Sequence, residues 1–301
     1  DIVFPMCIFI VGVAMPFSFS RRLGLDGGKK ELYWHVFIRT IVLMILGLVL
    51  WRSPGGPHPE YGYYSVLYRI GFSYFFAAII MMNTSIKGQI YWAFGLFAGH
   101  WLLMRFVPVQ GYGMADFSPE GNLDTYIGNK ISELLTPNFR YVLSISLIPS
   151  VSNALFGVLA GQWLKANREP MEKAKWLLIA GVVFMLAGLL VHLDFPINKK
   201  IGSPSFHLLT CGISTFLLGL FYLIIDVKGY RKWAFFLVVV GVNPITIYVA
   251  GWLIGFNAIA NVFVGAFDFG DAQTLMIVIV AGLVKWLFLY YLWRQKVFLK
   301  I

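Results

Sequence analysis

Nine apolar runs organise the chain, at roughly 2–19, 33–51, 63–82, 89–108, 141–164, 175–193, 205–225, 233–256 and 274–293. Most approach the ~20 residues a helix needs to cross the hydrocarbon core of a bilayer. Their ends carry Trp34, Trp51, Tyr63, Tyr91, Trp92, Trp163, Trp176, Trp233 and Trp293, the aromatic residues of an interfacial belt. The pattern predicts an all-α polytopic integral membrane helix bundle of nine transmembrane helices. The residues 1–301 form a single domain in this reading. The polar stretch 109–140 is rich in Gly and Pro around a short amphipathic piece, Leu123–Leu135. It is read as a small extracytoplasmic cap, with 257–273 as a shorter element on the same side.

Composition agrees with this class. Hydrophobic residues make up 59% of the 301 and charged residues 13%, against about 25% charged in soluble domains. Mean hydropathy is +0.75. The two cysteines, Cys7 and Cys211, both fall in apolar runs and read as small core residues.

The net charge of +10 does not point to nucleic acid, because its distribution explains it. Sixteen Lys and Arg fall on one set of alternating loops, counting Arg39 and the C-terminus; six fall on the other. Arg69 and Lys285 lie within spans. The positive-inside rule then places residue 1 outside and the C-terminus in the cytoplasm. The cytoplasmic cations also suit anionic lipid headgroups or an anionic ligand.

Polar residues inside the spans are the candidate chemistry, because a charge at membrane depth needs a cavity or a partner. Arg69 lies in Val66-Leu67-Tyr68-Arg69-Ile70-Gly71, with Ser65 and Ser73 one turn away on its face. It reads equally as an anchor for an anionic group or as a structural arginine. Asn243 precedes Pro244, which breaks the helical ladder and frees a carbonyl. Its amide can serve neighbouring backbone or a ligand. Lys285 has no partner that the sequence names. Asn198 and Lys199, followed by Lys200, lie on the outer side against the charge trend, as an anion- or sugar-binding pair would or as a solvated loop tip. The five histidines show no metal-ligand spacing, and no metal site is assigned. Gly157-x-x-x-Gly161 is a helix-packing signal.

Six segments in register carry a resemblance: Asp1 to Pro16, Val66 to Gly71, Pro196 to Lys200, Asp226 to Gly229, Gly241 to Tyr248, and Trp293 to Ile301. Together they resemble the heparan-α-glucosaminide N-acetyltransferase family and its bacterial relatives. That resemblance implies eleven spans, two of them ahead of this chain. It implies transfer of an acetyl group from cytosolic acetyl-CoA to a glucosamine-type amino sugar across the membrane. A catalytic His and an Asn are expected just ahead of Asp1, so no catalytic residue is assigned within the chain. Asp1, Arg69 and Asn243 are expected in supporting roles, and Asn198, Lys199 and Tyr248 near the substrate. Arg21, Arg22, Arg39 and Arg168 are candidates for the CoA phosphates.

Two segments depart from the family's pattern, Pro137 to Tyr141 and Ile201 to Pro204, where Gly202 stands in place of the usual Trp. An inactive family member serving as a structural subunit is the alternative reading, and a sugar or lipid transporter the third. A homodimer or other membrane chains are the partners considered beside the bilayer. A bacterial inner membrane is the expected location.

Overall fold

The computed structural model describes residues 2–23, 28–51, 66–118, 120–134, 144–199 and 201–299. These residues form α1 (Val3–Leu23), α2 (Gly28–Trp51), α3 (Val66–Asn83), α4 (Ile86–Phe106), α5 (Leu123–Leu134), α6 (Leu147–Lys165), α7 (Pro170–His192) and α8 (Pro204–Phe221). A π-helical turn, Tyr222–Val227, extends α8. Then come α9 (Phe235–Gly241), α10 (Pro244–Leu253), α11 (Phe256–Val264) and α12 (Gln273–Arg294). No β-strand occurs among the described residues.

Seven helical segments are long and apolar enough to cross a membrane: α1, α2, α3, α6, α7, α8 with its π turn, and α12 with the short turn before it. The bent pair on either side of Asn243 makes eight if taken as one span. α4 has the length, 21 residues. It falls short in apolarity, because Gln89, His100 and Arg105 interrupt it and Tyr91, Trp92 and Trp101 add amphipathic bulk. It accounts for the difference from the nine expected. The outward faces are apolar: Val183, Leu186 and Leu190 on α7 and Val278, Leu283 and Leu287 on α12 are each more than half exposed. Rows of this kind suit lipid rather than water, and the chain is an integral membrane protein.

The helices sort into two compact units. The first holds the described residues from α1 to Leu48 and from α3 to Val227; the second holds Lys228 onward with the last residues of α2.

In the first unit α6 is central. Every residue from Pro149 to Val158 is buried, so the helix has no solvent or lipid stripe. α1 crosses it on glycine. A Cβ on Gly157 would run into the carbonyl of Phe9, one on Gly161 into that of Val13, and one on Gly12 into that of Ala154. Small residues thus bring two backbones into contact, the geometry the Gly157-x-x-x-Gly161 spacing predicts. α7 and α8 pack by the same device, with Gly181 against Phe216 and Gly188 against Leu209. Around these seams Ile8, Phe9, Met15, Tyr74, Val151 and Leu155 form the main apolar core.

A second, smaller core joins α5 to the rest of this unit. Leu123 is buried with Met104, Val109, Phe195 and Ile201, and Phe117 stacks on Phe195 at 3.8 Å. Arg105 pairs with Asp194 at 3.3 Å, and the Trp101 indole donates to the same carboxylate at 3.2 Å.

In the second unit α9 and α10 meet at a bend of 61°. Pro244 is the first residue of α10 and has no N–H to continue the ladder. α12 packs on α11 around Ala250, Phe256, Ala260 and Ala281. It packs on α9 through Phe236, which stacks on Trp286 at 5.1 Å while the Trp286 indole donates to the Phe236 carbonyl at 3.1 Å.

Candidate functional site

Within the first unit, the N-terminal ends of α1, α3, α6 and α8 meet. Phe4 is the second residue of α1, Arg69 the fourth of α3, Ser146 immediately precedes α6, and Ser203 caps α8 by accepting from the Phe206 N–H. The contacts are direct. The Arg69 guanidinium lies 5.4 Å from the Phe4 ring centroid and the Lys199 ammonium 5.7 Å from it. Phe4 also touches Phe206, 6.0 Å away, and meets His207 edge-on at 6.5 Å.

Arg69 is 6% exposed. Its Nη2 donates to Ser146 Oγ at 3.0 Å; the two serine hydroxyls, Ser146 and Ser144, lie 2.6 Å apart; and Ser144 Oγ donates to Asp124 Oδ1 at 2.5 Å. The Ile145 N–H donates to the same Asp124 oxygen at 2.9 Å. This chain of bonds has one polarity when Asp124 is ionised. A guanidinium only donates and a carboxylate only accepts. Ser144 gives its proton to Asp124, so Ser146 gives its own to Ser144. A buried cation on α3 is thereby linked to a carboxyl on α5.

Burial pushes the Asp124 carboxyl above its ordinary value; the Ser144 hydroxyl, the Arg69 charge and the backbone donors pull the other way. Among the described residues, Arg69 and Lys199 bring two cations to the cluster and Asp124 a carboxyl, and the N-terminal ends of four helices lie beside them. The guanidinium and those helix ends suit an electron-rich oxygen.

Two further polar groups lie close by. Gly202 adopts φ +60°, where a side chain is strained, and a Cβ there would press on Ser146 Cβ at 2.9 Å and come 3.4 Å from His207 Nε2. The glycine that replaces the expected Trp is therefore required by the local fold. His207 and His100 are fully buried, and none of their ring nitrogens has a hydrogen-bond partner among the described residues.

The sequence-predicted residues divide as follows. Arg69 and Lys199 come together on Phe4. Asn198 stands beside Lys199, its N–H donating to Ser203 Oγ at 2.9 Å. Asp1 lies outside the described residues, as do Lys200, Ser65, Pro137 to Tyr141 and the side chains of Arg21 and Arg22. Ser73, on the Arg69 face of α3, is buried and its hydroxyl has no partner among the described residues. Arg39 sits midway along α2, not at its end, with its guanidinium 4.8 Å over the ring of Tyr74. Arg168 pairs loosely with Glu172 at 3.6 Å on the surface.

Asn243 and Tyr248 belong to the second unit. Asn243 is 1% exposed. Its Nδ2 donates to the Val297 carbonyl at 3.0 Å and its Oδ1 accepts from the Leu299 N–H at 3.1 Å. Both ends of the amide hold the C-terminal segment as a neighbouring strand would. Tyr248 meets Trp252 edge-on at 6.5 Å. Lys285 lies 5.6 Å from the Phe256 ring centroid.

Sequence reasoning missed Asp124, Ser144 and Ser146. None sits at helical spacing from Arg69. Among the described residues no group of His, Cys, Asp and Glu has the geometry of a metal site.

Fold and site together define a polytopic integral membrane protein with a buried polar cluster around Arg69 at one end of its first helical unit. Compared with known proteins, the chain matches no protein-family model. It is 24% identical to the heparan-alpha-glucosaminide N-acetyltransferase of Mus musculus over a 374-residue alignment that takes in 100% of this chain and 54% of the relative. The Homo sapiens protein of the same name is 25% identical over the same extent. The chain thus spans about half the length of the curated relatives it matches. These are the relatives to which the six sequence segments point.

Proposed function

We propose that this chain is the body of a transmembrane acetyltransferase, which moves an acetyl group from acetyl-CoA to the amine of a glucosamine-type sugar. The observation that carries the reading is the Arg69 cluster, in a chain similar from end to end to acetyltransferases of that name. Acetyl transfer to an amine passes through a tetrahedral state with negative charge on the former carbonyl oxygen. A buried guanidinium held by Ser146, together with converging helix N-termini, is suited to stabilise that charge. The same positive field lowers the affinity of an incoming amine for protons and keeps it nucleophilic. A general base of the kind the resemblance implies takes the amine's proton, and collapse of the tetrahedral state breaks the thioester C–S bond and releases CoA as its thiol with that proton.

In this reading the cluster faces the extracytoplasmic side and acetyl-CoA approaches from the cytoplasm. Lys199 and Asn198 border the sugar. Arg39, at mid-helix on Tyr74, and Arg168, just ahead of α7, lie along the donor's route.

The test is transfer by the full-length protein in liposomes, with labelled acetyl-CoA on one side and a glucosamine acceptor on the other. The expected result is labelled N-acetyl sugar on the face opposite the donor. A folded, correctly inserted protein that yields no acetylated sugar overturns the reading and favours a structural subunit.

A further inference from the structure

We propose that Asp124 is a positioning residue that sets the Arg69 guanidinium through the Ser144–Ser146 relay, so that the α5 segment governs the geometry of the site beneath it. The inference rests on Arg69 serving the acyl-transfer site described above.

Three observations carry it. The relay is continuous, with bonds of 3.0, 2.6 and 2.5 Å from Nη2 to Oδ1. It is also pinned at its middle: the Ser146 N–H donates to Ser144 Oγ at 3.1 Å, and the Ile145 N–H to Asp124 at 2.9 Å. The 144–146 turn therefore cannot rotate away without breaking several bonds at once. Finally, Asp124 is the second residue of α5, and its neighbour Leu123 is locked into the apolar cluster with Met104, Phe195 and Ile201. The carboxyl's position is thus decided by how α5 packs.

Burial works against the ionised carboxylate at this position, despite the donors around it.

The variants are D124N, D124A and S144A in the full-length protein. D124N keeps an oxygen for Ser144 and Ile145 but removes the charge. S144A keeps the charge but cuts the relay. Arg69 exposure is read by peptide-level labelling with phenylglyoxal, using Arg168 as internal reference. D124A and S144A are expected to raise Arg69 labelling by about tenfold, the size of one lost hydrogen bond; D124N should raise it far less. In acetyl transfer, D124A and S144A are expected to lower kcat by about 100-fold, the loss that a misplacement of about 1 Å causes. KM for acetyl-CoA should be unchanged, and D124N should rescue most of the rate.

Unchanged Arg69 labelling in folded D124A and S144A overturns the proposal, as does D124N behaving like D124A in both readouts. Should D124A not fold, S144A and D124N decide between the same outcomes. If the wild-type protein transfers no acetyl group, it is the functional reading that fails, and labelling still decides the positioning role.

Discussion

Asn243 and Leu299 are joined side chain to backbone: the Oδ1 of one accepts the N–H of the other at 3.1 Å, fifty-six residues along the chain. With the reciprocal bond from Nδ2 to Val297, the helix break at Pro244 becomes a fastening for the C-terminal segment.

Replacing Asn243 by Leu is expected to release that segment. Two backbone groups on half-exposed residues, Val297 and Leu299, lose their partners, at a cost of about 0.5–1.5 kcal/mol each. Hydrogen exchange at 297–299 should accelerate and the thermal midpoint should fall. An N243D variant keeps the acceptor for Leu299 and loses the donor to Val297, so its effect should be intermediate. Protection at 297–299 that survives N243L would show that the amide is not the fastening.

Asp124 gives the protein a pH dependence of a particular sign. Its folded carboxyl titrates above the ordinary value of 3.8 because of burial. The folded state therefore binds this proton more tightly than the unfolded state. The contribution is fully present below pH 3.8 and is lost as pH rises through the folded value. D124N cannot titrate. The thermal midpoint of D124N relative to wild type should climb as pH rises across that window and level off above it. A constant difference across the window would contradict the assignment.

The α1–α6 seam predicts a contrast between glycines on different helices. G157A pushes a methyl group into the Phe9 carbonyl and should cost about 1–3 kcal/mol. G95A, on α4, meets nothing within 4 Å and should be neutral or raise stability by up to ~1 kcal/mol through helix propensity. Thermal denaturation in one detergent checks both. Equal effects would mean the seam is not a close backbone crossing.

Phe4 lies within cation–π distance of two cations. F4L keeps apolar bulk but removes the ring face, a loss of about 0.5–2 kcal/mol per cation. Both cations share the Phe4 ring, so their losses on F4L are coupled. Suppression of part of that loss by K199Q in the same chain is the expected signature, read as a double-mutant cycle.

Much of the architecture was legible in the apolar runs. Each of the nine corresponds to a helix or to the bent pair, because a span declares itself by length and composition alone. α4 shows the limit. Its run was counted as a span, yet Gln89 and His100 are buried against neighbouring helices, which periodicity cannot reveal. The small-residue spacing at Gly157 and Gly161 was legible because the constraint is local to one helix.

The site was legible only in part. Arg69 stood out because a charge in an apolar run is anomalous. Its partner Ser146 lies seventy-seven residues away, just before α6, in a stretch with no periodic signature. Asp124 reads as one more polar residue of the short amphipathic piece Leu123–Leu135, and nothing in the sequence indicates that it bonds to Ser144 and the Ile145 N–H. Asn243 was read as open between backbone and ligand, and the backbone it serves lies at the far end of the same unit.

The glycine crossing of α1 and α6 has a mechanical consequence. Where side chains separate two helices, rotamer changes let them slide by an ångström or more. Where carbonyl rests on Cα there is no such compliance. Phe4 and Pro5 at the head of α1 are therefore registered to Ser146 and Asn153 on α6 almost as parts of one rigid rod; Asn153 adds a 3.0 Å bond to the Pro5 carbonyl. Substitutions far down the seam, at Gly12 or Gly161, should be felt at the cluster as a shift in alignment.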